Sequence, residues 1–283
     1  LVGNNKLDES GGIRIRNGAA EMLFDADRGL MITELSRIGT SLNLLHTVTE
    51  MPAKYIGIGM WEEAFQWQAA TTNSELLASG PAVFRLRVQS SNGQIVTGFD
   101  RELETDTIFT VFPDGRIHTD ERGRTAQTAA YILNAYVALD DELFSRVRSS
   151  YARADQADGR PVARVDGQSS TKLLESQFAA EAHWACAHTE GDSGPQHVVG
   201  LIHDVPDEGT PAGPRVAISK PGGYPIESEF LSLNFDWIFN SIGTPVPPAN
   251  YRGDFVVWVG EPGAQSAPCQ ELERMRNWLF SRR

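Results

Sequence analysis

The most constraining feature of the sequence lies between Ile13 and Leu45, where short apolar runs alternate with turn residues. Asn-Gly at 17–18, Asp-Arg-Gly at 27–29 and Ile-Gly-Thr at 38–40 separate one run from the next. Runs of four to eight residues bounded by such turns are typical of β-strands joined by tight connections. The opening segment therefore predicts successive antiparallel strands.

The same pattern continues through most of the chain. Pro113-Asp114-Gly115 separates two alternating runs and is a strong turn, because proline presets one backbone dihedral and Asp and Gly tolerate the next. Further strands are predicted at 129–139, 144–152, 172–187, 197–203, 216–219, 227–239 and 254–260. Helix is predicted in two places only, weakly at 60–70 and more clearly from 266–268 to 279, where apolar residues recur at helical spacing.

These strands, with almost no helix between them, favour antiparallel sheets packed face to face. The opening segment, the run at 80–87 with the Phe-Pro-Asp-Gly hairpin at 112–115, and the closing strand at 255–260 together resemble the galactose-mutarotase-like β-supersandwich. Domains of that kind occur in polysaccharide lyases and in sugar-binding parts of glycosidases. The resemblance implies an all-β fold, an antiparallel β-supersandwich with a short C-terminal helix, over residues 1–283 as one domain.

The resemblance also has departures. The sequence has no counterpart to the Asn-His-rich segments of aldose 1-epimerases, so that activity does not carry over residue by residue. It has no α-helical toroid of the kind that accompanies this sandwich in several lyase families, so a lyase site would be built on sheets and loops alone. The resemblance therefore points to sugars without fixing a reaction.

Charge and composition limit the partners. A net charge of −12 disfavours nucleic acid, which binds basic patches, and no apolar run approaches the length of a membrane span. One local basic window is either solvated or an anion site. It contains Arg146, Arg148, Arg153, Arg160 and Arg164. A sugar or polysaccharide is thus the expected partner, while the oligomeric state stays open.

The two cysteines and the start of the chain bear on compartment. Cys186 and Cys269 make either one bridge or none. The chain begins Leu1-Val2-Gly3 without Met, which indicates either a removed signal peptide or a start inside a longer product. The expectation leans towards a secreted or periplasmic protein.

An aromatic and acidic segment is the first candidate site. If the segment is extended, Trp61, Glu63, Phe65 and Trp67 share one face, since side chains alternate along a strand. Aromatic rings suit the apolar faces of sugars, and carboxylates and amides bind hydroxyls. Trp61, Glu63 and Trp67 are therefore predicted to form a substrate-binding wall, the alternative being core aromatics flanked by surface carboxylates.

The second candidate is an acid–imidazole pair. On a strand, Glu181 and His183 share one face, with Trp184 and Cys186 on the other. A carboxylate beside an imidazole orients it and produces a general acid or base near neutral pH. His183 is therefore predicted to transfer a proton with Glu181 as its orienter, the alternative being a salt-bridged pair on a solvated face.

The third candidate is the glycine turn that carries Tyr224. Tyrosine serves as acid or base in sugar β-elimination while Arg or Asn neutralises a carboxylate. Arg146 and Arg148 are predicted for substrate binding, and Asn134 and Tyr136 are also available. The alternative is an ordinary turn before an edge strand.

Cofactors and metals are not predicted. The sequence contains no phosphate loop, dinucleotide fingerprint or nucleophile elbow. His183, His188, His197 and His203 gather in one region, but their spacing matches no metal motif, and His118 is expected to be exposed.

The leading hypothesis is an enzyme that moves a proton on a sugar or uronide in a groove on a concave sheet, as a lyase or an epimerase. The alternative is a non-catalytic carbohydrate-binding module of a larger glycan-degrading enzyme. A structural or assembly protein is a third possibility.

Overall fold

The computed structural model describes most of the predicted strands and the C-terminal helix. The described residues are 6–7, 12–26, 30–45, 56–62, 65–67, 70–91, 103–125, 132–140, 143–144, 146–149, 160–161, 184–189, 197–203, 215–219, 231–239, 249–260 and 270–280. They form two nine-stranded sheets in which every strand pairing is antiparallel, and one helix.

Sheet A contains the opening strands of the chain. Its strands are β1 (Lys6–Leu7), β2 (Ile13–Arg16), β3 (Ala20–Asp25), β4 (Met31–Arg37), β5 (Ile56–Glu62), β6 (Phe65–Trp67), β11 (Ile132–Leu139), β16 (Arg215–Ser219) and β17 (Leu231–Phe239). Their order is β1-β2-β3-β4-β5-β11-β17-β16, with β6 paired to β5. The antiparallel strands predicted for the opening segment are therefore confirmed as β2, β3 and β4.

Sheet B contains the remaining strands. They are β7 (Ala70–Ser79), β8 (Phe84–Ser91), β9 (Leu103–Val111), β10 (Arg116–Thr125), β12 (Arg146–Ser149), β13 (Arg160–Pro161), β14 (Trp184–His188), β15 (Val198–His203) and β18 (Ala249–Gly260). Their order is β13-β12-β14-β15-β18-β10-β9-β8-β7. The final strand β18 thus lies in the middle of the sheet, between β15 and β10.

Two of the predicted turns are built as their residues require. The side-chain Oδ1 of Asn17 accepts hydrogen bonds from the backbone N–H groups of Ala19 and Ala20, both at 2.8 Å, and closes the β2–β3 hairpin. Gly115 has φ of +87° in the β9–β10 hairpin, and a Cβ there would lie 2.3 Å from the carbonyl oxygen of Val259. Glycine is needed at this position for both its dihedral and its lack of a side chain.

The weak helix predicted at 60–70 is wrong. Strand β5 runs to Glu62, β6 occupies Phe65–Trp67 and β7 begins at Ala70. β5 and β6 pair as a hairpin, so the apolar spacing that suggested a helix comes from two short strands.

The main core lies between the two sheets. Phe24 of β3 packs against Phe84 of β8 and Phe109 of β9, with ring centroids 5.8 and 5.3 Å apart. The core cluster also takes buried side chains from β11 and β17 of sheet A and from β14, β15 and β18 of sheet B. One face of each sheet is thereby removed from water, which is the main source of stability in such a sandwich.

The helix α1 (Gln270–Phe280) packs on the other face of sheet B. Leu272 is fully buried and its methyl groups occupy the space beside Gly200, where a Cβ would meet them at 2.4 Å. Trp184 Nε1 donates a 2.6 Å hydrogen bond to Glu273 Oε2 on the first turn of the helix. This confirms the predicted C-terminal helix, although Trp278 is 59% exposed and its ring lies under the guanidinium of Arg116 of β10, 5.2 Å from the ring centroid. The described helix is too short to cross a membrane.

Cys186 lies beneath this helix and is disulfide-bonded. Trp184 and Cys186 share a face, as the alternation predicted, because both belong to the cluster that the helix covers. Cys269 is the only other cysteine of the chain.

We expect Cys186→Ala to lower the free energy of unfolding by about 2–4 kcal/mol, because a cross-link restricts the unfolded chain. Urea unfolding followed by circular dichroism measures this loss. A reductant should destabilise the wild type and leave the variant unchanged. Equal behaviour of the two proteins with and without reductant would contradict this expectation.

Glu121 of β10 is a carboxyl group inside the sandwich. It is 2% exposed and pairs across the sheet with Thr107 and Gly253. Burial raises the pKa of Glu121 well above its ordinary value of 4.5, the nearby charge of Asp120 acts in the same direction, and a hydrogen bond with Thr107 opposes both. A neutral carboxyl is therefore the form that the folded state favours.

Because the folded state holds the Glu121 proton more tightly than the unfolded state does, the stability linked to this group is complete below pH 4.5 and falls as the pH rises through the folded pKa. Glu121→Gln removes this dependence. We expect the free energy of unfolding of the variant to rise relative to that of the wild type above pH 4.5. The difference should grow by about 1.4 kcal/mol for each pH unit until the pH reaches the pKa of Glu121 in the folded state. Chemical unfolding of both proteins at several pH values measures the difference, and a difference independent of pH would refute the neutral carboxyl.

Candidate functional site

The middle of sheet A brings together polar residues from strands far apart in the sequence. On β11, Tyr136 pairs with Gly57 of β5 on one side and with Asn234 of β17 on the other. In the next row Asn134 lies between Gly59 and Asp236. Two cross-strand rows therefore contain glycine, an aromatic or amide residue, and a polar residue.

Strand alternation assigns these residues to the outer face of the sheet. Val137, Leu139 and Leu233 are buried in the core between the sheets. Tyr136 and Asn234 occupy the alternate positions, and successive strand positions belong to opposite faces. The rows therefore lie on the face of sheet A that does not form the core.

The edge strand and a bulge extend these rows. Arg215 of β16 pairs with Asp236, which adds a guanidinium at the end of the second row. The register between β11 and β17 shifts at this point, because Leu133 pairs with Ile238 and Asn134 with Asp236, so Trp237 has no partner on β11. Bulges are frequent next to functional sites, where they change the direction of a side chain.

The two glycines on β5 leave room for a ligand on this face. Gly57 and Gly59 lack side chains beside Tyr136 and Asn134, and glycine within a strand often marks a place where a ligand approaches the backbone closely. Tyr, Asn, Asp and Arg are residue types that bind hydroxyls and carboxylates, and the register places residues of these types in adjacent rows. We call Trp61, Asn134, Tyr136, Asn234, Asp236 and Arg215 the sheet A rows.

Trp61 lies on the same face as these rows, but Trp67, which was predicted to form a substrate-binding wall with it, does not. Trp61 pairs with Ile132 one row beyond Asn134 and has the same parity as Gly59. Trp67 pairs with Met60, whereas Trp61 pairs with Gln66. The prediction that Trp61 and Trp67 share a face is therefore wrong, because the β5–β6 hairpin turn reverses the chain and puts them on opposite faces. Glu63 lies outside the described residues.

The other predicted site residues do not join the sheet A rows. Arg146 and Arg148 are on β12 of sheet B, paired with His188 and Cys186. Glu181, His183 and Tyr224 lie outside the described residues. The strand that follows His183, β14, belongs to sheet B, whereas Trp61 belongs to sheet A.

Sequence reasoning missed half of the sheet A rows. Tyr136 and Asn134 were recognised as available polar residues, but Asn234, Asp236 and Arg215 carried no signal of their own. They lie about a hundred residues downstream and become neighbours only through strand pairing. The alternation of Leu231, Leu233 and Phe235 with polar residues was the one local sign that this strand has a polar face.

An acid–imidazole pair does exist, on the other sheet. His118 Nε2 of β10 bonds to Asp254 Oδ1 of β18, and Asp254 is largely buried. His118 is half-buried rather than exposed, so that expectation is corrected. The two residues are 136 positions apart, and their contact follows from the pairing of β10 with β18.

The remaining described histidines belong to the interior. His188, His197 and His203 are all buried. Burial lowers the pKa of His197, and the positive charge of Arg37 lowers it further, so its neutral form is favoured. Among the described residues no group of three metal-ligating side chains is close enough to hold an ion.

Comparison with known proteins identifies the fold. No protein-family model matches the sequence, and no curated protein sequence matches it either. The structure is similar to heparan sulfate lyase HepC from Pedobacter heparinus, with 9% sequence identity and a TM-score of 0.50 over 93% of this chain and 37% of that one. The chain therefore spans 37% of the length of that lyase.

Two further structures are similar at lower scores. A 4-alpha-glucanotransferase from Thermococcus litoralis has 12% identity and a TM-score of 0.48, over 93% of this chain and 42% of that chain. Galactose 1-epimerase from Lactobacillus acidophilus NCFM has 9% identity and a TM-score of 0.45, over 93% and 98%. At such identities the similarity to the lyase is evidence of fold alone, and that fold is two antiparallel β-sheets packed face to face with a short helix.

Proposed function

We propose that this chain acts on a sugar or uronide by proton transfer on the outer face of sheet A. The observation that carries the proposal is the register of β11, which puts Tyr136 and Asn134 between two glycines on one side and Asn234 and Asp236 on the other. The similarity to a heparan sulfate lyase agrees with a carbohydrate partner, although at 9% identity it does not carry the activity.

The chemistry of the rows suits a uronide. A proton on the carbon next to a carboxylate becomes acidic when that carboxylate is neutralised, and an amide or a guanidinium provides the hydrogen bonds. Asn134 and Arg215 are proposed for this role. In β-elimination a base removes that proton, the bond to the neighbouring glycosidic oxygen breaks, and the departing oxygen takes a proton. Tyr136 is proposed to serve as the acid or base.

Some of the residues predicted from sequence remain part of the proposal. His183 with Glu181 as its orienter and Tyr224 are candidates for the second proton-transfer group. Trp61 and Glu63 are candidates for substrate binding, whereas Trp67, on the opposite face from Trp61, and Arg146 and Arg148, on β12 of sheet B, are not part of it. Because Trp61 has the same strand parity as the Asn134 row, it is the strongest of the binding candidates.

A non-catalytic carbohydrate-binding module is the second candidate function. The observation in its favour is that the chain spans only 37% of the lyase that it resembles, so a larger protein of this kind has most of its length elsewhere. A face with tryptophan, amide and carboxylate groups binds sugars without any chemistry. The two candidates predict different results for the same variants.

We expect Tyr136→Phe to lower turnover by about 100-fold or more, the usual contribution of a general acid or base, with little change in binding. Absorbance of the unsaturated product on a panel of uronate polysaccharides measures elimination, and optical rotation measures epimerisation. Arg16→Ala on β2, four strands from β11 in sheet A, is the matched control and should be fully active.

We expect Trp61→Ala to weaken binding of the active polysaccharide about tenfold, equivalent to ~1.4 kcal/mol. Affinity electrophoresis with the same panel measures this. If the wild type turns over no polymer of the panel while Trp61→Ala still weakens binding, the binding module replaces the enzyme. If neither variant differs from Arg16→Ala in turnover or in binding, the sheet A rows are not the site.

A further inference from the structure

The outer face of sheet B beside the helix carries a second group of charged residues. Helix α1 covers the half of this face formed by β14, β15 and part of β18. The other half is formed by β8, β9 and β10. Its outward positions include Arg85, Arg87, Asp106, Thr110, His118, Asp120 and Arg122.

Each carboxylate near the centre of this half has a basic partner. Asp106 accepts hydrogen bonds from Arg87 Nε and Nη2 at 2.7 and 2.5 Å, and this pairing lowers the pKa of Asp106. Asp254 bonds to His118. Asp120 Oδ2 lies 4.0 Å from Arg122 Nη2, while its buried Oδ1 has no hydrogen-bond partner among the described residues. Bidentate arginine–carboxylate pairs are strong and geometrically fixed, so Asp106 and Arg87 largely neutralise each other.

Arg85 has no such partner. It is exposed, and among the described residues its guanidinium makes no hydrogen bond and no ion pair. The residue opposite Arg85 on the edge strand β7 is Ala78, whereas Arg87 faces Glu75. Arg85 is thus an arginine of this face that makes no ion pair within the described residues.

Arg85 forms a row with a hydroxyl and an imidazole. It pairs with Thr110 of β9, and Thr110 pairs with His118 of β10. Phe109 and Val111 are buried in the core, so Thr110 is on the outer face with its two neighbours. Directly opposed residues in a sheet have Cβ atoms about 5 Å apart. Arg85 and His118 therefore flank Thr110, which is itself 9% exposed, and their longer side chains can reach a group held over it.

Asp254 prepares His118 for this row. The carboxylate holds Nε2 of the ring, which fixes the orientation of the imidazole. Nδ1 has no hydrogen-bond partner in the described part of the chain. The row therefore contains a guanidinium, a hydroxyl and a ring nitrogen that becomes a donor when the imidazole is protonated.

We propose that Arg85, Thr110 and His118 form an anion-binding site on the outer face of sheet B, with Asp254 as the residue that positions His118. The ligand is a small oxyanion group, either the carboxylate of a uronic acid or a free sulfate or phosphate. The charged and titratable groups that face His118 from its neighbours are Arg116, Asp120 and Asp254. Glu75 and Glu104 lie further out, opposite Arg87 and next to Arg124.

This site is independent of the proposed activity on the other sheet. Tyr136 and Asn134 belong to sheet A, whereas the proposed anion site belongs to sheet B, with the core between them. Binding of an anion at Arg85 should therefore persist in Tyr136→Phe, and failure of either proposal leaves the other intact.

The test is titration of the protein with sodium sulfate, sodium phosphate and sodium glucuronate at constant ionic strength, followed through the imidazole signals of ¹⁵N-labelled histidine. We expect the His118 signal to shift and saturate with at least one probe. Arg85→Ala should weaken that affinity about tenfold or more, because a charge-assisted hydrogen bond is lost. Arg124→Ala, an exposed arginine three rows away on β10 that also makes no ion pair within the described residues, should stay within about twofold.

The outcomes separate cleanly. Tighter binding of glucuronate than of sulfate or phosphate assigns the site to a uronic acid, and the reverse assigns it to a free oxyanion. Absence of a saturable shift with all three probes overturns the proposal. Equal weakening in Arg85→Ala and Arg124→Ala also overturns it, because that result reports general screening. Asp254→Asn, if folded by circular dichroism, should weaken binding without removing Arg85, and unchanged affinity would exclude the positioning role.

Discussion

Burial of one face of each sheet against the other determines where everything else in this molecule can lie. Phe24 of sheet A packs against Phe84 and Phe109 of sheet B, and aliphatic residues of both sheets complete the same cluster. Once one face of a strand is buried, the period of two sends every second residue to the opposite face. A register shift of one residue in β10 would put His118 in the core and Ile117 on the outer face. The packing of the core therefore also determines which residues lie on the two outer faces.

The sequence predicts the parts of this fold that depend on local chemistry. Asn17 and Gly115 close hairpins because an amide side chain and a residue tolerant of positive φ are needed there, and both requirements are visible in the chain. The residues 60–70 mislead because two strands joined by a tight turn imitate helical spacing. That turn also defeats the alternation argument for Trp61 and Trp67, since alternation continues only while the strand does.

The candidate sites depend on pairing between distant strands, which no local pattern reveals. Tyr136 and Asp236 occupy neighbouring rows because β11 lies beside β17, and His118 meets Asp254 because β18, the last strand, inserts beside β10. The sequence contained the right kinds of residue for an acid–imidazole pair but suggested Glu181 and His183, which adjoin each other in the chain. From the sequence alone, proximity can be judged only by separation along the chain. In this sandwich many paired strands, such as β10 and β18, are far apart in the sequence, so that judgement fails for their contacts.

Helix α1 covers part of the outer face of sheet B and so makes the two outer faces different. By covering Val198, Ile202 and Val256, the helix converts part of the outer face of sheet B into a second apolar core, with Cys186 beneath it. Glu273 satisfies the indole of Trp184 at the margin. What stays uncovered on sheet B is a strip of charged residues in which Asp106 bonds to Arg87 and Asp254 to His118, while Arg85 makes no ion pair within the described residues. On sheet A the glycines of β5 open the rows around Tyr136 instead. Because the core lies between them, we expect a substitution in one surface to affect the other mainly through the stability of the fold.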